Sequence, residues 1–165
     1  MPAPAPRAER PLIPAGYGVP ADGSGGELLP WSWAEERLVA ARNYWICTTR
    51  PDGRPHAMPV WGVWLEGRLW FSTGPTTQKA RNLAASPAVV VHLESGDETV
   101  IVEGEGRRER DPAALEAFVR AYAEKYDHSV DPADEDTPVF VVRPRFAYTW
   151  TERDFPRTAT RWLFG

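Results

Sequence analysis

The sequence contains 165 residues, of which 42% are hydrophobic and 25% charged, and its formal net charge is −4 at pH 7. This length and composition predict one folded domain whose core needs neither disulfides nor structural metals. The negative charge argues against general nucleic-acid binding, which requires a basic surface.

Residues that commonly form disulfides or hold metals are sparse in this sequence. Cys47 is the single cysteine, so neither an intramolecular disulfide nor a thiolate metal cluster is expected. The three histidines lack ligand spacing, and we therefore expect no metal site. No apolar run is long enough to span a membrane, and no signal-peptide core is present. We therefore expect a soluble, cytoplasmic protein without a membrane partner.

Residues 1–30 are rich in Pro, Ala and Gly and show little periodicity. Because such segments rarely bury a face of their own, we predict a partly mobile N-terminal arm, followed by a single domain over residues 31–165. The S-x-x-E pattern that starts at Ser32 matches a capping box. It predicts a helix from about Trp33 to Arg42.

A hairpin is predicted next. Asn43–Thr49 is β-branched and aromatic, a Pro-Asp-Gly turn follows, and the second strand extends over His56–Leu65. Pro59 interrupts this second strand, and because proline has no N–H it belongs at a sheet edge or a bulge. Backbone groups left unpaired there could meet the polar edge of a flat heterocycle. Alternatively, the strand simply ends at the edge of the sheet.

The stretch Leu69–Leu93 is typical of a strand, a turn, a helix and a second strand, with the helix beginning near Thr76 or Thr77. The helix start carries Lys79 and Arg81, and the whole stretch contains no acidic residue. Helix N-termini are partially positive, so these cations lack a local partner. A bound phosphate would compensate them, aided by nearby hydroxyls. Alternatively, this is a solvated surface helix whose basic residues meet carboxylates from elsewhere. The hydroxyls belong to Ser72, Thr73, Thr76 and Thr77.

Three further elements complete the predicted fold. Thr99–Gly104 is a strand, Asp111-Pro112 begins a helix of about four turns, and Pro138–Trp150 is the last long strand. About six strands, mostly joined by short turns, predict a mainly β (α+β) fold, a small antiparallel barrel with peripheral helices. Because exposed sheet edges need a partner, dimerisation is expected.

Three blocks of the sequence resemble, in order, the central blocks of the pyridoxamine 5'-phosphate oxidase-like, flavin-binding split-barrel superfamily. The blocks are TTRPDGRPHAMPVWGVW, GRLWFSTGPTTQKARNLAASPAVVVHL and ETVIVEGEG. They are most similar to the flavin and deazaflavin oxidoreductase branch, which often shows PDGRPH, FST and K-x-R-N-L at these spacings. The resemblance covers roughly Asn43 to Gly106, with weaker support in the ending TATRWLF.

The resemblance implies a six-stranded antiparallel split β-barrel that forms a homodimer, with two cofactor sites at the subunit interface. It also implies where the cofactor binds. The flavin phosphate is held at the start of the helix after the third strand, and the ring lies against the backbone of the second strand. By position, the phosphate residues are Thr73, Thr77 and Lys79, with Arg81 and Asn82 close by, and the ring residues are Met58, Pro59, Val60 and Trp61.

The sequence departs from the pyridoxamine phosphate oxidases at several positions. Gln78 replaces an arginine beside the phosphate-binding lysine, Thr99 replaces a cofactor-contacting glutamine, and the C-terminal substrate motif is not reproduced. Oxidation of pyridoxamine phosphate itself is therefore not expected. FMN remains possible, and the related branch that uses coenzyme F420 also fits, since its longer anionic tail could meet Arg81, Arg157 or Arg161.

The first hypothesis for function is an oxidoreductase that passes a hydride between bound FMN or coenzyme F420 and a small organic substrate. The alternative is a non-catalytic protein that carries or senses flavin, deazaflavin or haem, and only His56 and His92 lie in strands suited to a haem ligand. No acid or base side chain is obligatory, because the ring carries the chemistry. His56 and Tyr44 are candidates for substrate contact, and Trp150 and Trp162 are either a wall over the ring or packing residues.

Overall fold

The computed structural model describes residues 5–14, 16–17 and 26–165. These residues form nine β-strands and three α-helices. In chain order the elements are β1 (Arg7–Glu9), α1 (Trp31–Ala40), β2 (Asn43–Thr49), β3 (Pro55–Trp61), β4 (Val63–Leu65), β5 (Arg68–Ser72), α2 (Gln78–Ala85), β6 (Ala88–His92), β7 (Glu98–Arg108), α3 (Pro112–Tyr126), β8 (Val139–Thr151) and β9 (Thr160–Leu163).

The strands form one antiparallel sheet that runs in the order β1-β9-β8-β7-β6-β2-β3. The longest strand, β8, pairs with β7 along most of its length, with β5 through its first residues and with β9 through its later ones. β4 pairs with β5. Across the described part of the chain, β3 is hydrogen-bonded to β2 alone, so the sheet is open along its other edge.

The predicted mainly β, antiparallel fold with peripheral helices is confirmed, with two differences in the strands. The second strand, predicted over His56–Leu65, is divided at Gly62 into β3 and β4. The short strands β1 and β9 lie outside the six predicted ones and pair with each other near the chain ends. The six predicted strands therefore account for the central sheet, and the added pair extends it beyond β8.

Apolar side chains divide between two clusters because strand residues alternate between faces. The inward residues Ile46, Val91, Val102 and Ala147 fill the main core and are at most 1% exposed. A second cluster, which includes Val63, Trp70 and Val141, lies against α3. Its central residue is Phe118 of α3, which is fully buried. Helix α3 therefore covers β4 and β5, the two strands that follow β3 in the chain.

The helix starts show one wrong and one confirmed prediction. Helix α1 begins at Trp31 after the N-cap Pro30, and no side chain caps it, so the predicted capping box at Ser32 is wrong. Aromatic packing explains the earlier start, since the Trp31 ring lies 5.3 Å from Trp162 and 5.2 Å from Phe164 between centroids. The start of α3 is as predicted, because Asp111 accepts the Ala114 N–H at 2.9 Å.

Part of the N-terminal arm lies against the end of the domain. Arg7–Glu9 pairs with β9, and the Arg10 guanidinium donates to the Arg157 carbonyl at 2.8 Å. The Leu29 N–H donates to the Thr160 hydroxyl at 3.1 Å. Residues 1–4, 15 and 18–25 lie outside the described residues. The boundary between arm and domain at residue 31, and the mobility of the arm, remain predictions.

Candidate functional site

Hydroxyl groups converge where α2 begins, as the sequence predicts. Thr77 is the N-cap of α2, and its Oγ1 accepts the Ala80 N–H at 3.4 Å and donates to the Gly74 carbonyl at 2.8 Å. The Thr73 Oγ1 lies 3.2 Å from the Thr77 Oγ1. Two of the predicted phosphate residues are therefore in contact at the mouth of the helix, which is the name used below for this start of α2.

The two predicted cations of the mouth have no carboxylate partner among the residues that the structure describes. Lys79 is half-buried, and this burial lowers the pKa of its ammonium group below the usual value. Arg81 is exposed and donates to the Gln78 side-chain oxygen at 3.2 Å. Among residues 5–14, 16–17 and 26–165, no Asp or Glu forms an ion pair with either one. The positive charges of these two side chains are therefore available to an anion from outside the chain.

The β2–β3 hairpin brings two more basic residues near the mouth. The pKa of His56 is lowered by its burial and by the positive charges of Arg50 and Lys79. Its Nδ1 is buried and has no hydrogen-bond partner in the part of the chain described. Arg50 was missed by the sequence analysis, because its charge reaches His56 only through the pairing of β2 with β3.

Asn82 is buried behind the start of α2 and is not part of the exposed surface of the mouth. The residue is 0% exposed, so a ligand arriving at the surface does not touch it in this arrangement. Its Nδ2 donates to the Thr48 hydroxyl at 2.9 Å, and its Oδ1 accepts from the Gln78 side chain at 2.7 Å. That Asn82 takes part in cofactor binding stays a prediction; in the structure it lies close to the mouth, as expected, and fastens α2 to β2.

The open edge of β3 carries the predicted ring strand. Arg50 donates its N–H to the Arg54 carbonyl at 2.9 Å, so these two residues are a hydrogen-bonded pair of the β2–β3 ladder. In an antiparallel ladder hydrogen-bonded and non-hydrogen-bonded pairs alternate. Residues 55, 57, 59 and 61 therefore turn their backbone groups away from β2, toward the open edge. Positions 55 and 59 are prolines, so Ala57 and Trp61 supply the N–H groups of this edge. The prediction that Pro59 lies at a sheet edge is confirmed.

The inner face beside β3 is only partly covered. Met58 pairs with Ile46 in the β2–β3 register, yet Ile46 is fully buried whereas Met58 is 49% exposed. Val60 packs at the margin of the main core. On the opposite face of β3, Trp61 is 39% exposed and stacks on Tyr126, with ring centroids 4.7 Å apart. Since α2 contacts both β2 and β3, this uncovered face adjoins the mouth of the helix.

The aromatic and basic residues near the C-terminus are engaged elsewhere. Trp162 is 3% exposed and donates its Nε1–H to the Thr149 hydroxyl at 2.9 Å, so it is a core residue. Arg161 is paired with Glu9 at 2.6 Å. Trp150 lines a cavity of about 340 Å³ beneath the described part of the N-terminal arm. None of these three side chains lies at the mouth within this chain.

The candidates for substrate contact or haem ligation differ in their surroundings. Tyr44 is fully buried and its hydroxyl donates to the Leu38 carbonyl, so it is a core residue whose pKa burial raises well above the usual range. The His92 ring stacks on Trp45, with centroids 6.0 Å apart. Only His56 of these three is beside the mouth. Within the described ranges, no group of three or more His, Cys, Asp or Glu residues is placed to hold a metal ion.

The fold and the sequence together define the class of protein. A family model described as pyridoxamine 5'-phosphate oxidase matches residues 34–151. The chain therefore belongs to the pyridoxamine 5'-phosphate oxidase family, and its open antiparallel sheet is of the split-barrel type found in the solved structures that it resembles. None of the helices described is long and apolar enough to cross a membrane.

Several solved structures are similar to this chain. The conserved hypothetical protein Rv2991 from Mycobacterium tuberculosis is 24% identical with a TM-score of 0.67, over 77% of this chain and 88% of that one. A structure titled F420 reductase is 32% identical with a TM-score of 0.51, over 66% of this chain and 91% of that one. A heme binding protein from Mycobacterium smegmatis is 22% identical with a TM-score of 0.58, over 75% and 55%. No curated protein matches the chain by sequence.

Proposed function

We propose that the protein is an oxidoreductase that transfers a hydride between bound FMN or coenzyme F420 and a small organic substrate. The single observation that carries the proposal is the half-buried Lys79, which lacks a carboxylate partner in the described chain and lies in the first turn of the helix whose start brings the Thr73 and Thr77 hydroxyls together. This group of donors lies next to a strand edge with unpaired backbone. A phosphorylated ring system would satisfy both features at once.

The residues at the mouth fit a phosphate group. An ammonium group, two hydroxyls and the start of a helix are all suited to phosphate oxygens. Lys79 would then serve as the main cation, with Arg81 at the exposed rim. The buried Nδ1 of His56 is a further polar atom that has no hydrogen-bond partner in the described chain. A bound anion would favour the charged form of both basic side chains that burial now disfavours.

The residues of β3 fit the planar ring. Residues 58–61 present a carbonyl at Pro59 and an N–H at Trp61 along the open edge, suited to a heterocycle with both donors and acceptors. The exposed Met58 side chain would exclude water on the inner face. When bound, the cofactor supplies the hydride chemistry, while the chain binds the ring, orients it and shields it.

The sequence identity to a solved structure and the ion pairs of the arginines bear on the choice between FMN and coenzyme F420. The 32% identity to a structure titled F420 reductase favours coenzyme F420. Its longer anionic tail requires cations beyond Lys79. Arg157 and Arg161 are ion-paired with Asp154 and Glu9. Arg81 therefore remains the best-placed arginine.

We also propose the assembly and the setting. A row of directly paired residues crosses the outer face of four strands, and a second copy of the chain would bury it. The row consists of Trp45, His92, Ile101 and Tyr148. In this proposal the protein is a cytoplasmic homodimer with cofactor sites at its interface, and its partners are small molecules rather than nucleic acid or membrane.

The alternative function is cofactor binding without turnover, as in a carrier or sensor. The specific observation in its favour is that residues 58–61, the proposed ring strand, carry no acidic or basic side chain of their own, so this strand offers no acid or base chemistry. His56 is also the histidine best placed to ligate haem. A visible absorption spectrum of the purified protein distinguishes haem, flavin and deazaflavin directly.

The test is a titration of FMN and coenzyme F420 into wild-type protein and the Lys79→Ala variant. We expect the variant to lose about 2 kcal/mol of binding free energy, or about thirtyfold in affinity. Arg120→Ala removes a positive charge from the exposed side of α3 and should leave affinity unchanged. Turnover of reduced cofactor with a panel of quinones and enones then separates enzyme from carrier. Equal affinity in Lys79→Ala and wild type would refute the phosphate site.

A further inference from the structure

The hydroxyl of Tyr126 lies where the β2–β3 ladder would form its next pair. Asn43 pairs with Trp61, so the following pair would be Arg42 with Gly62. Instead, the Tyr126 Oη lies 2.7 Å from the Arg42 carbonyl oxygen, 2.8 Å from the Gly62 carbonyl oxygen and 2.9 Å from the Gly62 nitrogen. A side chain of α3 thus takes the place of a backbone pair.

The hydrogen bonds around this hydroxyl form a complete set. The Gly62 N–H donates to the Tyr126 Oη, whose own hydrogen is then available for the Arg42 carbonyl. Lys125 donates to the Gly62 carbonyl at 3.0 Å and to the Tyr44 hydroxyl at 2.9 Å. The Tyr126 hydroxyl and the Lys125 ammonium group both lie within hydrogen-bond distance of the Gly62 carbonyl, so each donor in the set has an acceptor.

The ring of Tyr126 fixes the residue before Gly62. It stacks on the Trp61 ring with an angle of 2° between planes, and the Arg42 guanidinium lies 5.2 Å from the Trp61 ring centroid. One residue of α3 therefore holds the Trp61 side chain with its ring and the adjoining peptide with its hydroxyl. Trp61 is also the residue that supplies an N–H at the open edge of β3.

We infer that Tyr126 is a positioning residue for the ring site, because its ring holds the Trp61 side chain and its hydroxyl holds the Gly62 peptide that follows this open-edge residue. Without the hydroxyl, the Gly62 N–H and the Arg42 carbonyl would lose this partner, and the end of β3 would be held less rigidly. This inference rests on the proposed function, in which the ring lies along residues 58–61. The inference adds Tyr126, which lies 64 positions from Gly62 in the sequence, to the residues of the proposed ring site.

The experiment compares ligands with and without the phosphate. Tyr126→Phe keeps the stack on Trp61 and removes only the hydroxyl. We expect it to weaken FMN and riboflavin equally, by about tenfold. Lys79→Ala should instead weaken FMN and leave riboflavin unchanged. The same comparison applies to coenzyme F420 and its phosphate-free ribityl deazaflavin. Tyr122→Phe is the matched control, since this residue lies one turn earlier on α3 and its hydroxyl makes no hydrogen bond to the described residues.

A general loss of stability would also weaken both ligands, so it has to be separated from loss of the ring contact. Thermal unfolding checks that Tyr126→Phe is folded, and Lys125→Met, which removes the donor to the Gly62 carbonyl and to the Tyr44 hydroxyl, should weaken ring binding in the same direction. The inference is overturned if Tyr126→Phe binds riboflavin within twofold of wild type, or if it weakens only the phosphate-bearing ligands. If Lys79→Ala has no effect while Tyr126→Phe does, the phosphate site fails and the inference stands. A wild-type protein that binds none of these ligands overturns both.

Discussion

Asn82 and Thr48 share a hydrogen bond of 2.9 Å between their side chains, and both are buried where α2 meets β2. The bond links the helix that carries Lys79 to β2, the first strand of the hairpin with Arg50 and His56. The two halves of the proposed phosphate site are thereby held together by one polar contact. Removing it should loosen the site as well as the fold.

Replacing Asn82 with alanine should lower the free energy of unfolding by about 2 kcal/mol or more, because the Thr48 hydroxyl is then buried without its partner. Urea denaturation measures this change. The double variant Asn82→Leu/Thr48→Val, which leaves neither polar group, should be less destabilised than the sum of its single variants. Additive losses would show that the bond contributes nothing to stability.

The affinity for a phosphorylated cofactor should depend on the ionisation of His56. Burial and the charges of Arg50 and Lys79 lower its pKa below the ordinary value of 6.5 in the free protein. A phosphate nearby would favour the protonated ring, so binding takes up a proton and becomes tighter as pH falls through this range. The measurement is the affinity ratio of wild type to His56→Gln, which should rise from pH 7 to pH 5.

The ratio is needed because the phosphate of FMN itself titrates near pH 6. Both proteins experience this common effect, so it cancels between them. His128→Gln removes an exposed histidine after the end of α3 and should give a ratio to wild type that is flat with pH. A flat ratio for His56→Gln as well would place His56 outside the electrostatic reach of the phosphate.

The sequence predicted features that depend on neighbouring residues. The Thr77 start of α2, the Asp111 cap of α3 and the edge position of Pro59 all follow from local chemistry, and all three are confirmed. The capping box at Ser32 failed because the packing of Trp31 on distant aromatic rings, which a local pattern cannot reveal, decides where α1 begins.

The site was predicted less completely than the fold. The resemblance placed Asn82 close to the phosphate residues, and in the structure Asn82 is buried because β2 offers the Thr48 hydroxyl as a partner. Periodicity treats polar residues as solvent-facing and cannot detect such a partner. Tyr126 was missed for a similar reason, since its contact with Gly62 joins residues 64 positions apart.

The buried Lys125 should make stability depend on pH. Burial lowers the pKa of this ammonium group to about 8 from 10.5. Between those values the unfolded chain binds more protons than the folded one, so stability rises with pH from about 8 to 10.5 through this group. Below pH 8 the penalty for burying the charge is present in full. Lys125→Met should remove this rise.

The measurement for Lys125 is the melting temperature of wild type minus that of the variant, recorded from pH 7 to pH 10. The difference should increase with pH above about 8. Arg120→Met, on the same helix but exposed, serves as the control because its charge does not titrate in this range. A constant difference for Lys125→Met would mean that the ammonium group is not destabilised by burial.

The break between β3 and β4 should tolerate no side chain at Gly62. A Cβ built on this glycine would lie 2.7 Å from the Trp70 carbonyl oxygen and 3.2 Å from a Leu69 methyl carbon, so the strand pair β4–β5 would have to move. We expect Gly62→Ala to destabilise the protein by about 1–3 kcal/mol, as overpacking typically does. Gly96→Ala is the matched control, since nothing lies within 4 Å of its Cβ position. Urea denaturation of both variants decides the matter: equal stability would mean that β3 and β4 can shift freely at this point, and the rigid end of β3 on which the ring site depends would then not exist.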